Sequence, residues 1–433
     1  GLADGIFASG ASVDVANAGA IIAAGYSWAA GIEAQGASDA VVQNSGDVYA
    51  VAMGPGGQAF GLYGTGGDSL DIGNSGSLEA QGYYATGIEA SALGDITVDN
   101  GGSIIAGYAN ADGGFYSALA TGINANSNGE GASVEIASSG DIAAVGFFGA
   151  SGISATSSGQ GGIVHVGNDG NIEVLQGNKY GYGAYGIFAS GDGDTGISNH
   201  GTVSAYSAGA ATGVAALSFA GDAHVVNSGD IEATSTASGY YGATGILAFG
   251  ANGSASVQNS GSVTATAAGL LYSEARAVDA QALGDVAVAN SGSLYANGEK
   301  YAFGVYAISG SGDLAVSNTP SGEIGFYSYI GRGWGVFGVA TQGDVAIGNA
   351  GDISGYAYGQ SAGVFAVANQ GDAKVTSSGD IAVASGSDVA VGAFARANNG
   401  TASVTNSGDI EAMSGYAAYG VMVAPIASSR SRG

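Results

Sequence analysis

Asp285, Asp313, Asp344 and Asp372 each stand five residues before successive copies of one short motif. If those copies stack, their carboxylates come within about 5 Å of one another. Two carboxylates at that separation can cleave a glycosidic bond, one as nucleophile and one as acid. They can also gather cations, or accept backbone N–H bonds in the Gly-Asp turns that carry them. A turn role best suits an acid that recurs at equivalent positions, and turnover lost on changing Asp313 and Asp344 to Asn would mark the glycosidic one. The histidines offer less: His165 and His224 lie three residues before the motif on the outward parity of a strand, and His200 lies at a corner. No stretch has the Gly-x-Ser-x-Gly order of a nucleophile elbow. The tandem calcium nonapeptide and the EF-hand loop are both missing. The sequence therefore predicts no enzyme, no cofactor and no metal.

Aromatic residues are the second candidate. Most of the 23 Tyr fall in a variable segment of the repeat. Tyr83, Tyr84, Tyr116, Tyr182, Tyr240, Tyr241, Tyr329, Tyr356 and Tyr358, with Trp334, form a candidate ridge along one edge. Such rings give large contact area with a polar tip, as interfaces require, or they cover the longest turn by stacking on one another.

What must position these groups is a repeat. The heptapeptide NSGDIEA occurs at 227–233 and again at 406–412. Its first residue recurs at Asn17, Asn44, Asn74, Asn100, Ser138, Asn168, Asn199, Asn227, Asn259, Asn290, Asn318, Asn349, Ser377 and Asn406, a mean period of about 30 residues. Two residues earlier stands a Val or Ile every time, and four residues later an aliphatic returns, as in Val48, Ile142, Ile231 and Ile410. Period-two alternation bounded by Gly is the strand signal. A third strand reads TGIEA at 86–90 or SGISA at 151–155. Three strands cannot bury their common face alone, but stacked turns can. The expected fold is all-β, a single parallel β-helix of about 14 to 15 coils with three strands per coil, over residues 1–424. A stack of 13 steps at strand spacing would be a rod of roughly 62 Å. The Asn column, in particular Asn44, Asn74, Asn168, Asn227, Asn259, Asn290, Asn349 and Asn406, is expected to be a structural corner ladder. There Gly supplies φ > 0 and stacked amides bond along the axis.

Composition agrees. Gly is 83 of 433 residues without a three-residue period, and 46% of residues are hydrophobic, so the chain should fold with many tight turns. The net charge of -27 disfavours nucleic acid. No apolar run reaches the roughly 20 residues of a membrane-spanning helix, so no membrane insertion is expected. The chain starts at Gly1 and reads as a processed product or excised piece, and SSRSRG at 428–433 reads with its neighbours as an irregular tail or linker from 425.

The motifs NSGDIEA, NSGDVYA (44–50) and GDVAVANSGSLYA (284–296) resemble the passenger domains of bacterial autotransporters. The resemblance implies a right-handed helix, secretion to the bacterial surface, and a role as adhesin, autoaggregation or biofilm scaffold. Partners would then be another copy or a cell-surface glycan or protein. A self-assembling extracellular fibre and a polysaccharide-active enzyme are the alternatives.

Overall fold

Alternating β-branched and small polar residues, interrupted by Gly and Ser, here form extended strands joined by tight corners. The protein is described by a computed structural model over residues 1–108, 117–236, 242–269 and 273–424. Among these the chain is a parallel β-solenoid of about 14 turns with about 30 residues per turn and no helix. The expected tail, 425–433, lies outside the described residues. One turn shows the plan. A landmark strand, Ile163–Asn168, ends at the corner Asn, and a middle strand, Asn171–Gln176, follows it. A closing strand, Gly183–Gly191, then leads to the next landmark strand, Thr195–Asn199. Contacts divide the chain into two units, Gly1–Gly221 and Asp222–Gly433, each built on this plan.

Within each unit equivalent residues pair in register. In the first, Ile88, Ile123, Ile153 and Ile187 lie over one another on successive closing strands. All four are fully buried, as are Ile72, Val98 and Val166 from the landmark strands. Each such side chain contributes about 1.5–3 kcal/mol of burial. Middle strands add Ala50, Ala80, Ala106 and Ala144, which keep the interior narrow.

The closing strand departs from simple alternation. In Tyr84–Ala92 the inward residues are Ala85, Gly87, Ile88, Ala90 and Ala92, so two consecutive residues face inward at Gly87 and Ile88. The same slip recurs at Gly122/Ile123, Gly152/Ile153 and Gly186/Ile187. A strand that presents two neighbours to one side must bend there. The outward residues on either side of the bend, three apart, then converge. Phe60 and Tyr63 have ring centroids 5.2 Å apart, and Tyr185 and Phe188 5.6 Å. At Gly87 a Cβ would overlap Ile104 of the middle strand and lie 2.6 Å from the Gly122 carbonyl oxygen, so Gly suits the bend there, although Ala277 takes the same place in the closing strand Glu274–Ala282.

The corner glycines serve a different purpose from the one their sequence suggests. Positive φ occurs at Gly56, Gly107, Gly131, Gly161 and Gly183, not at the Gly of the NSG corners. There a Cβ would overlap the carbonyl oxygen of the corresponding Gly one turn earlier, as Gly76 would with Gly46 and Gly292 with Gly261. Close stacking, not left-handed backbone, excludes a side chain.

The second unit contains a compensated substitution. Its inward middle-strand column runs Ala233, Ala265, Ala296, Phe326, Gly355, Val383. Phe326 is 2% exposed, and its ring fills the space a Cβ would need at both Gly355 and Gly333. Gly355→Ala should destabilise by about 1–3 kcal/mol through overpacking, and Phe326→Ala by about 3–5 kcal/mol through the cavity. In the double variant the new methyl enters that cavity, so the loss should fall well short of the sum. Denaturant unfolding of all three variants checks this, and strict additivity would contradict the packing described.

Candidate functional site

The Asn column is a hydrogen-bonded ladder. In the first unit Asn17 Nδ2 donates to Asn44 Oδ1, Asn44 to Asn74 and Asn74 to Asn100, each at 2.8 Å. In the second, Asn227, Asn259, Asn290, Asn318 and Asn349 are linked in the same way at 2.8–2.9 Å. The other amide hydrogen goes to the carbonyl of the Gly two residues on, as from Asn44 to Gly46 and Asn259 to Gly261. Serines interrupt the line. Ser377 accepts from Asn349 and donates to the Gly379 carbonyl, so it makes no bond to Asn406. Ser138 accepts from Asn100 at 3.2 Å, but Asn168 Oδ1 beyond it is buried without a partner. Asn168 instead starts a new link, to Asn199 at 2.8 Å. Ser138→Asn would place an amide donor beside that oxygen. It should raise stability by about 1 kcal/mol, read as an upward shift of the thermal midpoint.

The Asp column is not held by local turns. Asp285 Oδ1 accepts the backbone N–H of Asp313 one turn on, at 2.8 Å. Asp313 likewise accepts from Asp344, Asp344 from Asp372, and Asp372 from Thr401, at 2.6–2.9 Å. All four side chains stand on an exposed turn, with one oxygen each engaged in tying consecutive turns together. His200 Nδ1 lies 3.0 Å from Asp169 Oδ1, both exposed, and His224 Nδ1 lies 2.6 Å from Ser256 Oγ. Among the described residues no group of three or more His, Asp or Glu is placed to hold a metal ion.

Of the tyrosines singled out as a ridge, several are exposed. Tyr83, Tyr84 and Tyr182 are exposed in the first unit, with Phe147 and Phe148, and Tyr329 and Tyr358 in the second. Tyr83 and Tyr84 meet edge to face at 4.9 Å, as do Phe147 and Phe148. Tyr116, Tyr240 and Tyr241 lie outside the described residues. Two expectations need correction. Tyr356 sits in the middle strand Asp352–Ala357, half-buried, with its ring stacked on Tyr327. Trp334 belongs to the closing strand Arg332–Ala340, is 8% exposed, and stacks on Phe303 at 4.8 Å. It is outward in parity but buried in the bend, which the sequence pattern of a flat strand does not reveal.

That bend carries the remaining chemistry, on its outer side. In the second unit it is filled with rings over the turns from Phe303 to Phe394. Tyr306, Phe337, Phe365 and Phe394 form a continuous stack at 4.7–5.3 Å beside Phe303 and Trp334. Arg276 caps this stack, 4.1 Å from the Tyr306 centroid. It pairs with Glu274 at 2.7 Å and with the buried Asp279. Burial opposes the Arg276 charge, but Asp279 and Glu274 outweigh it and hold the guanidinium protonated.

In the first unit the same side of the bend is mostly small and polar. Ring pairs stand at Phe60/Tyr63 and Tyr185/Phe188. Between them the converging pairs are Thr86/Glu89, Thr121/Asn124 and Ser151/Ser154, in register and half-buried. Asn124 Nδ2 donates to both oxygens of Glu89, at 2.9 and 3.0 Å. Burial pushes Glu89 up to about 7, against the lowering effect of that amide. Burial, aided by Asp4, also raises Glu33, two turns earlier. Nothing in the sequence singled out Glu89 or Asn124. The usable signal was the invariant three-residue offset between outward positions flanking the Gly of each TGI-like motif.

No protein-family model matches the chain, and no curated protein or solved structure does.

Glu89 gives a pH prediction. Its folded value of about 7 lies above the ordinary 4.5, so the folded state keeps the proton longer than the unfolded chain. Its contribution to stability is complete below about pH 4.5 and declines as pH rises to about 7, by about 3 kcal/mol in all. Glu89→Gln, neutral throughout, should therefore be more stable than the parent at pH 8 and nearly equal to it at pH 4.5. Urea unfolding at the two pH values reads the difference.

Proposed function

We propose that the chain is a non-enzymatic scaffold displayed outside a bacterial cell, mediating adhesion or aggregation through many weak contacts along its tyrosine edge. The carrying observation is the exposure of large rings at equivalent places in successive turns of each unit. Phe148 is 38% and Tyr182 79% exposed in the first unit, and Tyr329 61% and Tyr358 51% in the second. Single exposed rings are common on protein surfaces, but rings clustered at neighbouring turns favour contact with a partner. A repeated scaffold multiplies weak contacts without any tight site. The likeness of the NSGDIEA corners to autotransporter passengers supports secretion, and the partner on this reading is another copy or a surface glycan or protein. The Asp column is better suited to joining turns than to turnover, since its carboxylates already hold backbone N–H groups.

The test is collective. Beads coated with the chain should cluster or adhere to cells, and replacing Tyr83, Tyr182, Tyr329 and Tyr358 together by Ser should reduce this at least tenfold with an unchanged circular dichroism spectrum. Any one of the four alone should cost about twofold or less, as expected for multivalent contact. Clustering that survives the fourfold replacement would refute the edge as the adhesive surface.

A further inference from the structure

The two units use one bend in two ways. In the second its outer side is packed with stacked rings from Tyr306 to Phe394, and in the first the rings stop at Phe60/Tyr63 and resume at Tyr185/Phe188. Four steps of strand spacing separate these ring pairs, about 19 Å, and the space between is a trough. Its walls are Thr86, Thr121 and Ser151 on one side and Glu89, Asn124 and Ser154 on the other. Towards the Tyr185 end it opens into a cleft of about 350 Å³, floored by Gly149, Ala150 and Gly183 and flanked by Tyr182 and Tyr185. A Cβ on Gly149 would stand 3.0 Å from Leu119 and 3.4 Å from Tyr182, and would fill that floor.

The trough carries unused hydrogen-bonding capacity. Among the described residues the hydroxyls of Thr86, Thr121, Ser151 and Ser154 bond to no protein group, and the Asn124 carbonyl oxygen takes no donor, since its amide nitrogen serves Glu89. Neither wall contains a Lys or Arg, and Glu89 with Glu33 beyond Tyr63 disfavours anions. A peptide strand would need free backbone N–H and C=O groups, but the closing strands use theirs on the turns above and below. What fits is an uncharged, hydroxyl-rich, elongated ligand with apolar ring faces for the aromatic ends.

We infer that this trough binds a neutral oligosaccharide lying along the stacking direction, with Thr86, Thr121, Ser151 and Asn124 contacting its hydroxyls and Tyr63 and Tyr185 bounding it. The site adjoins the tyrosine edge but uses other residues, so it stands whether or not that edge is adhesive. The experiment is calorimetric titration of the full chain with neutral hexasaccharides of glucose, mannose, galactose and N-acetylglucosamine, and with an oligogalacturonate as charged probe. At least one neutral probe should bind saturably, and at least tenfold tighter than the oligogalacturonate. Thr121→Trp and Ser151→Tyr, which place rings where the second unit has them, should each weaken that binding at least tenfold. Asn124→Ala should do so without adding bulk, and it remains decisive if the larger side chains disturb folding. No saturable binding of any neutral probe, preference for the oligogalacturonate, or folded variants with unchanged affinity would each overturn the assignment.

Discussion

Consecutive turns of this solenoid lie one strand spacing apart, about 4.8 Å, and every residue must tolerate its own equivalent at that distance. This decides which residues can occupy a column. Glycine fills the NSG corners because any Cβ would overlap the carbonyl oxygen of the previous turn. Asparagine fills the landmark column because an amide can donate to its own copy above and accept from its own copy below. Aspartate cannot pair with itself, and it persists in a column because Oδ1 takes the backbone N–H of the next turn. Aromatic rings stack face to face, as Phe337, Phe365 and Phe394 do. The chain's 35 acidic residues and 8 basic ones are compatible with this architecture because most of the described acids are exposed, on corners or on the outward faces of strands, where solvent screens them.

The same constraint explains what could be read beforehand. A self-complementary column shows as recurrence, so the landmark Asn, the Val or Ile two residues before it and the parallel stacking were legible from spacing. Where a column is broken by one turn, recurrence says little. Phe326 stands in an alanine column and is made possible by Gly333 and Gly355, which in sequence look like two more glycines among 83. The purpose of the corner glycines was misread for a related reason. A turn-rich sequence suggests left-handed backbone, whereas the requirement is room between turns.

The bend in the closing strand was hidden because it depends on parity. TGIEA alternates well enough to pass for a flat strand, yet Gly87 and Ile88 both point inward. One slip of phase turns two outward columns into the walls of a concavity. Trp334 is thereby buried at 8% exposure in a place where a flat strand would leave it in water, and Glu89 is drawn out of solvent far enough to titrate near neutrality. Fold and candidate site thus share one cause, and the site was less legible because it depends on the exception to the alternation and not on the alternation itself.

Filling that concavity with rings is the stabilising choice. The stack from Tyr306 to Phe394, capped by Arg276, buries apolar surface and gains favourable ring geometry in addition. The first unit forgoes this over three successive turns. It keeps hydroxyls, an amide and a carboxylate whose burial costs stability as the pH rises above about 4.5. A polar run held over three successive turns between two ring pairs, at positions where the turns from Phe303 to Phe394 carry rings, is the pattern expected where side chains are kept for contact with something outside the fold. The hydroxyl column and the ring column are two solutions to the same geometry, and the first leaves hydrogen-bonding groups open to a ligand.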